Sequence, residues 1–180
     1  ITVRLGPWTE VVAGLEAGRV DLAALAASSG RRTRFDYLAF IWTLQQAVLS
    51  RDDRGTAMPE RLTDMAREVV AVEQRSVMHD LLEELPEAGR PAMLLVDSPG
   101  AAVQRVVDGN ATLALGNALT LGQVMREHGP TPLVKRDVKA IAYHFATRTG
   151  RGEEFAWIEP ALAQLKENGT FTQLFDTYLA

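Results

Sequence analysis

The side chains that could do chemistry in this chain are arginines, serines and scattered carboxylates, and they form no recognised catalytic set. An arginine-rich stretch at residues 31–34 follows a pair of serines at 28–29. Carboxylate pairs occur at residues 83–84 and 153–154, and each lies in a charged stretch typical of a solvated helix face. No Walker A loop, GxGxxG fingerprint, GxSxG elbow, HExxH motif or EF-hand loop occurs in the sequence. We therefore expect no catalytic residues.

The three histidines, His79, His128 and His144, are expected to be structural and to bind no metal. Asp80 is next to His79 in the sequence, and adjacent residues of a helix do not face the same side. The sequence has no cysteine, which excludes disulfides, cysteine-ligated zinc, iron–sulfur clusters and thiol nucleophiles. We expect neither a metal nor a cofactor.

Charge and composition argue against several kinds of partner. Lys and Arg total 19 against 23 Asp and Glu, so the formal net charge is −4 at pH 7. A mildly acidic chain has no general attraction for nucleic acid or for an anionic membrane. The arginines at 31–34 are not interleaved with aromatic residues, so nucleic-acid binding is not expected. No apolar run approaches the ~18 residues that cross a bilayer, and no leader peptide is recognisable.

Strand-like and helix-like patterns alternate along the whole chain. Apolar residues at helical spacing begin at Trp8 and continue to Leu15, and Gly18 is placed to end that helix. Ser98 and Pro99 together predict a helix start, because serine caps a helix and proline suits its first turn. Strands are predicted at residues 1–5, 20–27, 40–49, 69–72, 92–96, 111–115 and 138–146, and helices at 8–15, 76–85, 98–108, 118–128, 155–165 and 171–178. This alternation predicts an α/β fold with largely parallel sheets.

An internal similarity suggests two lobes. Residues 15–23 resemble residues 106–114, since in both a helix ends on glycine and the chain re-enters a buried strand. Any helix-to-strand connection would show the same pattern, so the similarity alone does not establish a repeat.

Four segments follow one another in a characteristic order. They are residues 7–21 (PW…LEAGRVD), 31–37 (RRTRFDY), 70–77 (VAV leading to SV) and 157–170 (WIEPALAQLKENGT). In this order they resemble the bacterial solute-binding proteins of family 3, the amino-acid-binding proteins with a Venus flytrap fold. The last segment is the most specific, and the resemblance covers nearly the whole chain.

The resemblance implies a two-lobed, periplasmic-binding-protein-like fold of type II, each lobe a mainly parallel sheet flanked by helices. Lobe one would comprise residues 1–48 plus 136–180, and lobe two residues 49–135, with two crossing strands as the hinge. A ligand would bind in the cleft, and the lobes would close on it by hinge motion. The family's first strand and helix have no counterpart in the sequence, which implies that lobe one is incomplete at its N-terminus.

In the family, an arginine that follows a serine-containing loop holds the carboxylate of the ligand. A guanidinium suits this role because its two parallel donors match the two carboxylate oxygens. The matching residue is Arg31, with Arg32 as the alternative if the loop aligns differently, and Ser28 and Ser29 would add donors. Aromatic residues near the crossing often flank the ligand, which implies a contact from Phe40 or Trp42, with a position in the core as the alternative.

In lobe two the family has a Gly-Ser/Thr turn at a helix N-terminus, where free amides hold a negative group. Gln74, Arg75 and Ser76 occupy this place, and the glycine is missing. Ser76 is expected to cap the helix, and Arg75 would supply a side-chain charge. The family's acidic partner for an ammonium aligns with Thr112 or Asn117, which are uncharged. The resemblance thus implies an anion without an amine, or a neutral polar solute, rather than a standard α-amino acid.

The function implied is that of an extracytoplasmic solute-binding domain at the periplasmic or extracellular face of the bacterial membrane. Its partner would be the permease of an ABC transporter, or an attached transmembrane signalling domain if the chain is the sensor of a histidine kinase. Two alternatives stay open: an enzyme similar to cyclohexadienyl dehydratases or to domains attached to lytic transglycosylases, and a degenerate module that binds a partner. Whether the chain forms a homodimer is also open.

Overall fold

The structure is a computed structural model that describes residues 2–3, 5–54, 57–129 and 131–178. Its helices are α1 (Trp8–Glu16), α2 (Val77–Glu83), α3 (Pro99–Val107), α4 (Ala118–Glu127), α5 (Ile158–Glu167) and α6 (Thr170–Tyr178). Its strands are β1 (Ala23–Ala26), β2 (Phe35–Arg51), β3 (Val69–Glu73), β4 (Ala92–Val96), β5 (Leu113–Asn117) and β6 (Leu133–Arg148). The predicted α/β class is confirmed. Within these residues, no helix is both long and apolar enough to cross a membrane.

Helix boundaries follow the local chemistry that the sequence predicted. The hydroxyl oxygen of Ser98 accepts a hydrogen bond from the N–H of Ala101 (3.2 Å), and Pro99 occupies the first turn of α3. Gly18 follows α1 with φ 70°, and Gly109 follows α3 with φ 75°. Glycine adopts these left-handed conformations without a Cβ clash, so both predicted helix ends are confirmed.

The sheet has the strand order β1-β6-β2-β5-β3-β4. β3 is parallel to both of its neighbours, β4 and β5. β2 is antiparallel to β5, and β1 is antiparallel to β6. The parallel arrangement predicted for both lobes therefore does not extend to β1. β1 pairs with β6, a strand from much later in the chain, and the two run in opposite directions. A parallel pair usually consists of strands joined by a crossover helix, and β1 is not part of such a pair.

The chain divides into two compact units. The first contains Ile1–Val12 and Leu44–Ile141, and the second contains Ala13–Thr43 and Ala142–Ala180. β2 and β6 are long, at 17 and 16 residues, because each passes from one unit to the other. The expected lobes differ from these units at residues 1–12, 44–48 and 136–141, which were assigned to lobe one and belong to the first unit. As functional lobes, residues 1–48 plus 136–180 and residues 49–135 stay a prediction.

The core of the first unit lies between the three parallel strands and the helices α3 and α4. One face of α3 is fully buried, and it packs against β3, β4, β5 and α4. The buried members of this cluster are Ala47, Leu49, Ala71, Val96, Ala102, Val103, Val106, Ala111, Ala114, Ala118 and Leu121. This packing fixes where the carboxyl ends of the three strands lie.

The core of the second unit joins α5 to the first half of β2. Ile158 and Leu162 of α5 pack against Ala39 and Ile41 of β2. A carboxylate at the start of β2 also ties down the turn after β6, since Asp36 Oδ2 accepts hydrogen bonds from the N–H groups of residues 150 and 152 (2.8 and 3.0 Å). The helix predicted at 155–165 thus covers the strand that follows the arginine-rich loop.

The strand predicted at residues 1–5 is not present among the residues described there. Thr2, Val3 and Leu5 belong to no regular element, and Ile1 and Arg4 lie outside the described residues. Val3 and Leu5 are 79% and 96% exposed. Alternating apolar residues favour a strand only where one face is covered, and in the structure these two side chains are uncovered.

Candidate functional site

The predicted lobe-two residues lie at one edge of the parallel strands in the first unit. Strands β3, β4 and β5 run in the same direction, and β3 pairs in register with both neighbours. Their carboxyl ends therefore meet at one edge, where the turn at residues 74–76 follows β3 and Asn117 ends β5. In open α/β sheets, ligands bind outside the carboxyl ends of the strands. The structure thus brings Gln74, Arg75, Ser76 and Asn117 to an edge suited to a ligand.

Arg75 has an unusual backbone conformation. Its φ is 60°, in the left-handed region that residues with a side chain rarely adopt. The indole Nε1 of Trp8 donates to the Arg75 carbonyl oxygen (2.9 Å), and the Arg75 N–H donates to Nδ1 of His79 (3.2 Å). An arginine therefore keeps the conformation for which glycine is best suited, at the place where the sequence lacks the family's glycine.

Gln74 is held at the end of β4 by hydrogen bonds from both its backbone and its side chain. Its backbone N–H donates to the carbonyl of Val96 (2.9 Å), and its side-chain Nε2 donates to Asp97 Oδ1 (2.5 Å). Asp97 was not predicted to belong to the site. Its position follows from the register of β3 and β4, which pairs Glu73 with Val96.

Ser76 and Asn117 both cap helices. Ser76 Oγ accepts from the N–H of His79 (3.2 Å) at the start of α2. Asn117 Oδ1 accepts from the N–H groups of Leu119 (2.9 Å) and Thr120 (3.3 Å) at the start of α4. The capping role predicted for Ser76 is confirmed, and Asn117 serves the same purpose.

Thr112, the other position aligned with the family's acidic residue, has a structural role. Its hydroxyl oxygen accepts from the N–H of Val69 (2.9 Å) and donates to the Val69 carbonyl (3.0 Å). Both hydrogen bonds connect the start of β3 to the residue that precedes β5. Thr112 therefore lies at the opposite end of β3 from the turn at residues 74–76.

Glu73 carries a perturbed carboxyl group at the same edge. Its half-buried side chain loses part of its hydration, and this desolvation raises the pKa of the Glu73 carboxyl to about 7. The sequence did not predict this, because the residue reads simply as the last position of a strand. A carboxyl with this pKa is only partly ionised at neutral pH.

His79, Asp80 and Glu83 cluster on α2, with one ligand atom of each within 4.8 Å of the others. Glu83 is four residues after His79 and its Oε1 lies 3.4 Å from Nε2, a spacing that the sequence analysis overlooked. Nδ1 of His79 already accepts from Arg75 N–H, so in the neutral ring Nε2 carries the proton. A protonated Nε2 has no lone pair for a metal, and this donor set does not fit one.

In the second unit, the arginine-rich loop places one guanidinium in the interior. Arg31 is 1% exposed and Ser28 is 5% exposed. The N–H of Arg31 donates to Ser28 Oγ (3.3 Å), and the N–H of Arg32 donates to the Ser28 carbonyl (3.2 Å). The loop thus closes around Ser28, in a 3-10 turn at Arg31–Thr33.

The remaining candidates of the second unit are placed differently. Ser29 is exposed, and so is Arg32, whose guanidinium carbon lies 5.4 Å from the centre of the Tyr37 ring. Trp42 is half-buried, packs against the α5 core cluster, and has its ring centre 5.8 Å from that of Phe171. Trp42 therefore has a core contact, which was the alternative considered for it.

The fold and these two groups of residues define a class of protein: an α/β binding protein with polar groups at strand ends and a buried arginine after a serine loop. The chain belongs to the bacterial extracellular solute-binding proteins, family 3, whose family model matches residues 1–180. The resemblance inferred from the four sequence segments is confirmed.

Individual relatives are binding or sensor proteins. Amino-acid-binding protein AabA of Dichelobacter nodosus is 25% identical over 171 residues, which are 92% of this chain and 66% of that protein. The chain therefore spans just under two thirds of this relative. A histidine kinase sensor domain with similarity to periplasmic binding proteins has a TM-score of 0.85 at 26% identity, covering 98% of this chain and 77% of the other. The substrate binding protein of an amino acid ABC transporter has a TM-score of 0.81 at 13% identity, covering 98% and 79%, a likeness of fold.

Proposed function

We propose that this chain captures a small anionic solute, typically a carboxylate without an ammonium group, outside the cytoplasm. The observation that carries the proposal is the position of Arg75 beside the carboxyl ends of the parallel strands, in the place where the family has glycine. A cation there favours an anion. The Arg75 φ of 60° is the left-handed conformation that glycine adopts most easily.

The choice of an anion without an amine rests on what faces this edge. An ammonium taken out of water needs an anionic partner. Asn117 is neutral and spends its oxygen on the α4 cap. Asp97 already accepts from Gln74, and the raised pKa of Glu73 removes part of its charge at neutral pH. The groups at this edge therefore favour a carboxylate over an α-amino acid.

Arg31 is proposed as the second anion-binding group. Its guanidinium is taken out of water in the second unit, and a desolvated guanidinium forms its strongest contacts with a carboxylate. Ser28 holds the backbone of Arg31 and is proposed to set its direction, whereas Ser29, Arg32 and Trp42 are proposed to contribute less.

The partner is proposed to be a membrane permease or an attached transmembrane signalling domain, in the periplasm or at the outer face of the membrane. Relatives of both kinds support this: an amino acid transporter's binding protein and a kinase sensor domain. The sensor role is favoured, because the solved kinase sensor domain is 26% identical to the chain and has a TM-score of 0.85.

Calorimetric titration of the full chain with matched ligands tests the proposal. Succinate, its monoamide and aspartate differ in a carboxylate or an added amine, and the proposal predicts that succinate binds more tightly than both of the others. Tighter binding of aspartate would overturn the choice of an anion without an amine. Equal binding of the monoamide would show that the second carboxylate finds no cationic partner.

A second candidate function, that of an enzyme, is favoured by Glu73 alone. A carboxyl with a pKa of about 7 is suited to donate and accept protons near neutrality. If the chain is an enzyme, mass spectrometry of a bound solute after long incubation will show a new product, and Glu73→Gln will abolish it. Recovery of unchanged solute supports the binding function.

A further inference from the structure

Arg75 holds a backbone conformation that its own chemistry disfavours. The left-handed region brings Cβ of an L-residue close to its own backbone, so non-glycine residues stay there only where the surroundings hold them. Strained residues of this kind cluster at binding and catalytic sites. Other side chains must therefore stabilise the left-handed conformation of Arg75.

Two side chains engage the two backbone polar atoms of Arg75. The indole N–H of Trp8, at the start of α1, donates to its carbonyl oxygen at 2.9 Å. Its own N–H donates to Nδ1 of His79, in the first turn of α2, at 3.2 Å. All three residues belong to the first unit, although Trp8 and Arg75 are 67 positions apart. The conformation is therefore held from two different helices.

His79 is itself placed for this role. Its backbone N–H donates to the capping hydroxyl of Ser76, and its Nε2 faces Oε1 of Glu83 at 3.4 Å. The side chain is 13% exposed. A carboxylate beside Nε2 favours the tautomer with the proton on that nitrogen, which leaves Nδ1 free to accept from Arg75.

We propose that Trp8 and His79 are positioning residues that hold Arg75 in its left-handed conformation and thereby set the affinity of the site for an anion. This inference rests on the proposed function, because it assigns the anion contact to Arg75. Loss of either hydrogen bond lets the residue rotate to an unstrained φ. The Cα–Cβ direction then changes and moves the guanidinium away from its place.

The hydrogen bonds are tested first without any ligand, by NMR of the full chain. A residue with φ near 60° gives a strong nuclear Overhauser effect between its own amide and α protons. We expect this signature for Arg75 in the unaltered chain and in His79→Asn, whose side-chain oxygen replaces Nδ1 as the acceptor. We expect its loss in His79→Leu and in Trp8→Phe. Trp157→Phe, at an exposed tryptophan, is the matched control and should keep it.

Binding is tested second, by titrating the same variants with succinate and with inorganic phosphate. His79→Leu and Trp8→Phe should bind about three- to tenfold more weakly, the value of one hydrogen bond, and His79→Asn should bind normally. An unchanged signature in both variants, or a lost signature with unchanged affinity, overturns the inference. If the unaltered chain binds neither probe but the signature responds as expected, the proposed anion function fails while the structural role of the two residues stands. In an Arg75→Gly background, Trp8→Phe should no longer alter the turn, because glycine adopts this φ freely.

Discussion

The backbone N–H of Arg31 donates to Oγ of Ser28 at 3.3 Å, and both residues are almost completely buried. This contact holds the backbone of the loop at the point where the Arg31 side chain is buried, while the next arginine, Arg32, is exposed beside Tyr37. A serine followed three residues later by an arginine is a common sequence pattern. In the folded chain, the two adjacent arginines of this loop differ, because Arg31 is buried and Arg32 is exposed to solvent.

Arg31 and Arg32 should therefore differ in their effect on binding. Arg31→Lys keeps the charge but loses the paired donors of the guanidinium, and we expect the affinity for the tightest-binding acid to fall about tenfold or more. Arg32→Lys should reduce the affinity much less, because that side chain is exposed. Isothermal titration calorimetry of both variants with the same acid measures the two affinities. Equal losses, or a larger loss for Arg32→Lys, would remove Arg31 from the site.

Arg75→Gly should separate stability from binding. Glycine relieves about 1–2 kcal/mol of left-handed strain, and its greater freedom in the unfolded chain offsets roughly 0.5–1 kcal/mol of this. The variant should be as stable as the unaltered chain or up to about 1.5 kcal/mol more stable in urea unfolding, yet bind anions weakly. Arg75→Ala keeps the strain and should also bind weakly. A stabilised glycine variant with normal affinity would contradict the role given to the guanidinium.

Asn117 should reveal its capping role in unfolding experiments. Asn117→Ala should cost about 1 kcal/mol, since Oδ1 accepts from two amides of α4. Asn117→Asp should keep the cap and gain about 0.3–1 kcal/mol from the helix dipole. It should also improve the binding of amino acids, as the resemblance to the family implies. Ser98→Ala, which removes the cap of α3, is the matched control and should lose stability without altering ligand preference.

Glu73 should make the stability depend on pH. The folded pKa of about 7 lies above the ordinary value of 4.5, so the folded chain binds this proton more tightly. Stability is full below about pH 4.5, falls as pH rises to about 7, and is then constant. Taken at face value, the difference between the two pKa values corresponds to a loss of about 3 kcal/mol in the free energy of unfolding. The Glu73 side chain is only half-buried, and solvent screening reduces the expected loss to about 1 kcal/mol.

Glu73→Gln removes that loss. The variant should be about 1 kcal/mol more stable than the unaltered chain at pH 8 and equally stable at pH 4, as measured by urea unfolding. Glu87→Gln, at an exposed carboxylate outside the α-helices, should show no such difference between the two pH values. A gain for Glu73→Gln that is the same at both pH values would show that the carboxyl is not perturbed by burial.

Local chemistry made most helices and strands predictable from sequence. The cap at Ser98 and the left-handed Gly18 and Gly109 depend only on neighbouring residues, and they were found at the expected places. The spacing of His79 and Glu83 was equally readable and was overlooked. Residues 1–5 show the limit of this approach, because an alternating pattern does not reveal whether a partner strand covers it.

The candidate site was only partly predictable, because its geometry depends on distant contacts. The conformation of Arg75 depends on Trp8, and the position of Asp97 depends on how β3 pairs with β4. The pKa of Glu73 follows from burial, which no local pattern specifies. Sequence comparison pointed to the turn at residues 74–76, and only the fold explains how an arginine is kept there.

The most direct test of a solute-binding function is a thermal-unfolding screen of the full chain against amino acids, organic acids, small inorganic anions and neutral sugars. We predict that at least one organic acid raises the stability by about 2.7 kcal/mol at a hundredfold excess over its Kd, and that neutral sugars do not. The account would be contradicted if no acid stabilised the chain, or if a neutral sugar alone did so.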